Sequence, residues 1–141
     1  MDVTPILDKL NDAQREAVTA PPEPALVIAG AGSGKTRVLV HRAAWLIDVE
    51  GVSPQSLLAV TFTNKAAAEM QERVGQLLGK RKDEMPVVAT FHSYCVRILR
   101  RQIRILGYPD RFAIYDRGDQ ESVARDALRE LRVPNTALSP G

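Results

Sequence analysis

One cysteine, Cys95, in 141 residues leaves no internal disulfide to be made and fits a reducing compartment. Alone and flanked by apolar residues, it is expected as a small buried hydrophobe rather than a reactive thiol. No apolar run approaches the ~18 residues needed to span a bilayer, which excludes a transmembrane helix and points to no membrane partner. Met1-Asp2-Val3-Thr4-Pro5 lacks a basic stretch followed by an apolar one, so a secretory leader is not expected and the cytoplasm is. Strong charge of either sign is missing too: the net charge is +2, which by itself neither supports nor excludes a nucleic-acid partner. There is no internal repeat and no low-complexity tract.

What is present suffices for a folded domain. Apolar residues make up 45% and charged residues 26%, at a length typical of one domain. The most informative stretch is Ala29-Gly30-Ala31-Gly32-Ser33-Gly34-Lys35-Thr36. It follows the apolar run Ala25-Leu26-Val27-Ile28 and leads into a helical pattern from Arg37 to Asp48. A loop between strand and helix turns successive N–H groups inward, and the helix N-terminus adds unpaired N–H groups and positive potential. Glycine at 30, 32 and 34 permits positive φ and close approach of a phosphate. Lys35 can reach β- and γ-phosphates, and the Thr36 hydroxyl can ligate magnesium. Ala29 stands where the usual pattern has a leading glycine, a position that serves the turn more than the phosphates.

Three strand-then-helix units are expected around this loop. The first is Ala25–Ala29 with a helix whose Val38, Leu39, Trp45 and Leu46 share a face. The second is Leu57 to Phe62 and a helix from about Asn64 to Leu78, with Ala66, Ala67, Met70, Val74 and Leu77 at core spacing and Glu69 paired with Arg73. The third is Val87–Phe91 and a helix from Ser93 to Leu106. Such alternation implies an α/β fold with a parallel sheet covered by helices on both faces. Ligands then gather at the carboxyl ends of the strands, where 30–36, 61–65 and 90–93 would all fall. Ahead of these units, Asn11 suits the N-cap of a first helix through Val18, ended by Pro21-Pro22-Glu23-Pro24. Behind them come a turn at 107–110, a short extended run from Phe112 to Tyr115, and a helix from an Asp116 N-cap to Leu131. Val133-Pro134-Asn135 is expected to break that helix. The chain then stops without a closing element, as though cut inside a larger protein.

Four ordered blocks carry a family resemblance: 10–18 (LNDAQREAV), the loop extended through Leu39, 59–70 (AVTFTNKAAAEM) and 90–93 (TFHS). Together the chain resembles the N-terminus of a UvrD/Rep/PcrA-type superfamily 1 DNA helicase over essentially its whole length. The resemblance implies an incomplete P-loop (RecA-like) motor domain over 1–109 and the start of a helical insertion subdomain over 110–141. It implies ATP and Mg2+ as ligands, with Lys35 and Thr36 as the catalytic pair and Thr36 on the metal. Gln14 resembles the glutamine that reads adenine; the bland alternative makes it part of a helix capping box with Asn11. Ala29, Gly30, Ala31, Gly32, Ser33, Gly34, Lys35, Thr36 and Arg37 complete the nucleotide site, although Arg37 can equally be an exposed helix arginine.

Thr61, Phe62, Thr63 and Asn64 resemble a first single-strand DNA contact, and Thr90, Phe91 and His92 a second. Without the family, Phe62 reads as strand-end core, Thr63 or Asn64 as a helix cap, and His92 as an ordinary hydrogen-bonded histidine. Arg97, Arg100, Arg101 and Arg104 form a stripe, opposed by Leu99, Ile103 and Leu106, that reads as readily as a solvated face. The Asp-Glu pair that hydrolysis requires has no match: Asp83-Glu84 follows no strand, and Asp116 suits a cap. The expectation is therefore a binding fragment of a cytoplasmic, ATP-dependent 3′–5′ helicase acting on single strands and on junctions with duplex DNA, beside DNA-repair proteins. A helicase-nuclease subunit, a stand-alone regulatory remnant and a small P-loop kinase are the alternatives.

Overall fold

The computed structural model describes residues 2–79 and 85–132. The expected helix break at 133–135, the last residues 136–141, and Asp83-Glu84 lie outside these. The described chain divides into two compact units, one running to Arg97 and one starting at Ile98.

In the first unit, α1 (Thr4–Leu7) and α2 (Asp12–Thr19) precede the long α3 (Lys35–Asp48). Asn11 caps α2 as expected: its side chain accepts from the Gln14 N–H, and the Gln14 side chain accepts from the Asn11 N–H. Ile6, Leu10, Val18 and Ala44 form one buried cluster, so α1 and α2 pack on α3. Two polar links reinforce this packing. Buried His41 donates from Nδ1 to the Ile6 carbonyl. Arg42 gathers the carbonyls of Val18, Ala20 and Pro21 at the C-terminus of α2, which has no helical donors left for them. A 3₁₀ turn, Pro54–Ser56, leads to β1 (Leu58–Thr61).

Helix α4 (Asn64–Leu78) is the crossover to β2 (Val87–Thr90), which pairs parallel with β1 in the register Leu58–Val87 to Thr61–Thr90. Met70 and Val74 of α4 are buried with Val40 and Ala43 of α3, and Ala59 and Val88 of the sheet pack on the same cluster. Helix α5 (Phe91–Gln102) follows β2 directly. In the second unit, a 3₁₀ turn (Ile103–Leu106) precedes Gly107, whose φ of 81° closes the turn. Helix α6 (Arg117–Glu130) starts from Asp116, which caps it reciprocally with Asp119.

The structure corrects several expectations. Among the described residues the sheet has two strands, not three. Residues 25–29 run without strand pairing, and Leu26 and Ile28 are 86% and 90% exposed. Their composition suits a strand, but a strand needs a neighbour to receive its N–H and C=O groups. Of the expected α3 face, Val38 and Trp45 pack half-buried against the first cluster and Leu39 is exposed, while the fully buried positions are Val40, His41, Ala43, Ala44 and Ile47. Cys95 is exposed rather than buried.

Candidate nucleotide and nucleic-acid site

The loop before α3 is built on two glycines with left-handed backbone. Gly32 has φ 75°, and Gly34, the N-cap of α3, has φ 85°. Gly30 is not among the positive-φ residues, so that part of the expectation does not hold for it. A Cβ on Gly30 or Gly32 would meet open space, whereas one on Gly34 would lie 2.8 Å from Gln14 Nε2. Gly34 is thus required twice over, for backbone and for space.

Side chains close the loop on itself. Ser33 Oγ donates to the Gly30 carbonyl at 2.7 Å, and Lys35 Nζ donates to the same carbonyl at 2.7 Å and to that of Ala29 at 3.2 Å. Those two bonds leave one ammonium proton for a further acceptor. Alanine at 29 contributes through its backbone oxygen, which any residue could supply. The first α3 bond runs from Val38 N–H to the Gly34 carbonyl. The helix therefore offers no acceptor to the N–H groups of Lys35, Thr36 and Arg37.

Gln14 reaches this loop from α2, and its capping-box reading holds. Its Oε1 serves the capping box while Nε2 donates to the Ser33 carbonyl at 2.9 Å. The amide orientation is fixed from both ends, leaving one free N–H and one acceptor lone pair. Arg37 donates to the Lys9 carbonyl at 3.4 Å, a long bond. An open cleft of about 460 Å³ is lined by Gln14, Gly32 to Arg37, and Arg73 of α4. Three cations and no carboxylate face it, a setting suited to an anion. Arg73 is the lining residue that sequence reasoning missed: its i,i+4 pairing with Glu69 reads as an ordinary solvated face.

The second group of expected residues gathers at one edge of the sheet. Thr61 and Thr90 are register partners at the ends of β1 and β2, and Phe62 and Phe91 follow them. The two rings sit 5.8 Å apart at 47°, with Phe62 87% exposed and Phe91 50%. Phe62 is therefore not core, which removes the bland reading. Two hydroxyls are committed to helix starts. Thr63 Oγ1 accepts from Ala66 N–H at 3.1 Å, and buried Thr90 exchanges hydrogen bonds with Ser93 through backbone and side chain. Asn64 and His92 are exposed. The sheet does not anchor residues 30–36 at this edge, because the segment that leads to them is not in the ladder.

The arginine stripe comes apart. Arg104 lies beyond α5 in the 3₁₀ turn, ion-paired with Asp110, and the Arg100 guanidinium sits 4.2 Å from the Phe112 ring centroid. Among the described residues no cluster of His, Cys, Asp and Glu could hold a metal, and no helix is long and apolar enough to cross a membrane.

Residues 10–140 match the UvrD/REP helicase N-terminal domain family. The chain is 51% identical over 140 residues to DNA helicase II of Escherichia coli strain K12, covering 99% of this chain and 19% of that relative. DNA helicase II of Salmonella typhimurium strain LT2 gives the same figures. Similarity to the ATP-dependent DNA helicase PcrA of Staphylococcus aureus strain Mu50 is 49% over 135 residues, 96% of this chain and 18% of the relative. The chain thus spans under a fifth of the length of these relatives.

Proposed function

The chain belongs to the UvrD/REP helicase N-terminal domain family, and on that premise we propose that it forms the nucleotide-gripping opening of an ATP-dependent 3′–5′ DNA helicase. The observation that carries the proposal is the loop 29–36: left-handed glycines, a lysine folded over it, and helix N–H groups left to an outside acceptor. A triphosphate tail supplies such an acceptor, and its charge meets Lys35 and the α3 N-terminus.

Residues 29–37 and Gln14 hold the nucleotide in this reading. The amide of Gln14, with one donor and one acceptor free, matches adenine's N7 acceptor and N6 donor; guanine, with two acceptors on that edge, is a poorer fit. Thr36, in the first turn of α3, is the residue to hold Mg2+, which when bound neutralises charge on the phosphates. Lys35 holds the tail in place, and the water-directing acid comes from outside these residues.

The exposed pair Phe62 and Phe91 forms the platform for single-stranded DNA, with Thr61, Thr63, Asn64, Thr90 and His92 around it. Base stacking on aromatic faces is tolerant of sequence, as a translocating enzyme requires. Residues 1–109 are the opening of the first motor domain, and 110–141 begin a helical insertion. The parent enzyme works in the cytoplasm on single strands and duplex junctions, beside DNA-repair proteins.

The test is Lys35→Ala. Titration with a fluorescent ATP analogue should show binding lost while the circular dichroism spectrum stays as in the wild type. Unchanged affinity would remove the loop from the site.

A further inference from the structure

We infer that Ser93 is a positioning residue for the aromatic edge, holding Phe91 where it backs Phe62; this rests on the reading of that edge as a platform for single-stranded DNA. β2 ends at Thr90 and α5 starts at Phe91, so the chain turns from strand to helix with no residue between. Phe91 is therefore aimed by whatever fixes that turn. Four hydrogen bonds between Thr90 and Ser93 fix it. Ser93 N–H donates to Thr90 Oγ1 at 3.2 Å, and Thr90 N–H donates to Ser93 Oγ at 3.1 Å. Thr90 Oγ1 donates to Ser93 Oγ at 3.0 Å, and Ser93 Oγ donates to the Thr90 carbonyl at 3.1 Å.

The bonds close a ring in which each hydroxyl proton is used once. Ser93 Oγ accepts twice and donates once, its full capacity, and Thr90 Oγ1 keeps a lone pair but no proton. Neither hydroxyl can then donate to a phosphate. What the ring supplies is rigidity, and Thr90, 6% exposed and in register with Thr61, anchors it to the ladder. The exchange has the form of a capping box, with serine in the place of the usual Glu or Gln. Phe91 lies within the span of the ring, and its side chain meets Phe62 at 5.8 Å and 47°. Phe62 itself stands exposed between the end of β1 and the Thr63 cap. Tilted aromatic pairs at this distance attract, so a fixed Phe91 restricts where the Phe62 face can turn. A face held ready loses less freedom when a base stacks on it.

The experiment titrates the chain and its variants, by anisotropy, with labelled oligothymidine and with a strand of equal length that is abasic throughout. Ser93→Ala should weaken oligothymidine about fivefold and leave the abasic strand, which has phosphates and no rings, unchanged. Ser93→Thr keeps the hydroxyl and should bind like the wild type. Added to Phe91→Ala, Ser93→Ala should cause no further loss. Unchanged oligothymidine affinity in Ser93→Ala overturns the inference. So does equal weakening of both strands, which would put Ser93 on the DNA backbone, and so does a loss that persists without the Phe91 ring. Phe62→Ala tests the platform separately. Full affinity there removes the edge itself, whereas lost affinity there with Ser93→Ala silent overturns the positioning role alone.

Discussion

Gly34 and Gly30 stand four residues apart in the same loop, and the structure asks different things of them. At Gly34 an added Cβ meets both a left-handed backbone and the Gln14 amide at 2.8 Å. Gly34→Ala should therefore lower unfolding free energy by about 1–3 kcal/mol, measured by urea denaturation, and disturb nucleotide affinity as Gln14 is displaced. Gly30→Ala has neither obstacle and should stay within about 0.5 kcal/mol of the wild type. Equal losses at both positions would mean that the loop is held by something other than this backbone geometry. Gln14 serves two structural ends at once. Its Oε1 stabilises the start of α2, its Nε2 holds the loop, and the hydrogen-bonding capacity left over is what a base edge would meet.

At the scale of elements, the sheet edge is the consequence of a short parallel ladder. Thr61 and Thr90 end in register, so the residue that follows each strand, an aromatic in both cases, is delivered to the same place. Phe62→Ala should weaken binding of labelled oligothymidine by about 1–3 kcal/mol in an anisotropy titration. Because Phe62 is 87% exposed, thermal stability should hardly move. Full retention of affinity would reject this edge as a stacking platform.

Elements governed by local rules were legible in advance. The caps at Asn11 and Asp116, the α4 core face at Met70 and Val74, and the strand residues 58–61 and 87–90 follow from capping chemistry and periodicity. Elements that depend on remote partners were not. Residues 25–29 have strand composition but no ladder among the described residues, and Leu39 beside them is exposed for want of a covering layer. On α3 the expected Val38 and Trp45 do pack on the core, but Val38, Leu39 and Val40 are all apolar, so pattern alone does not tell that Val40 is buried and Leu39 exposed. That Arg73 lines the cleft beside the loop depends on α4 packing against α3, which no local spacing encodes.

At the scale of the whole chain, two features set the behaviour. The first unit carries two buried clusters that share α3, so whatever grips the start of α3 is felt through that unit's core. A ligand bound only to the folded state stabilises it by mass action, by about 2.7 kcal/mol at a hundred times its dissociation constant. Excess ATP with Mg2+ should therefore raise the melting midpoint of the wild type by several degrees, seen by scanning calorimetry, and leave Lys35→Ala where it was. A rise of the same size in both would place the stabilising ligand elsewhere.

The second feature is Arg42, whose guanidinium fastens the carbonyls of Val18, Ala20 and Pro21. Downstream, Gln14 and Lys35 pin the backbone at Ser33, Gly30 and Ala29. The thread from Pro22 to Ile28 is thus moored at both ends, and seven residues span at most about 25 Å. It acts as a leash: the glycine loop at 29–36 can travel only as far as that tether slackens, and any larger excursion must haul the second helix along with it.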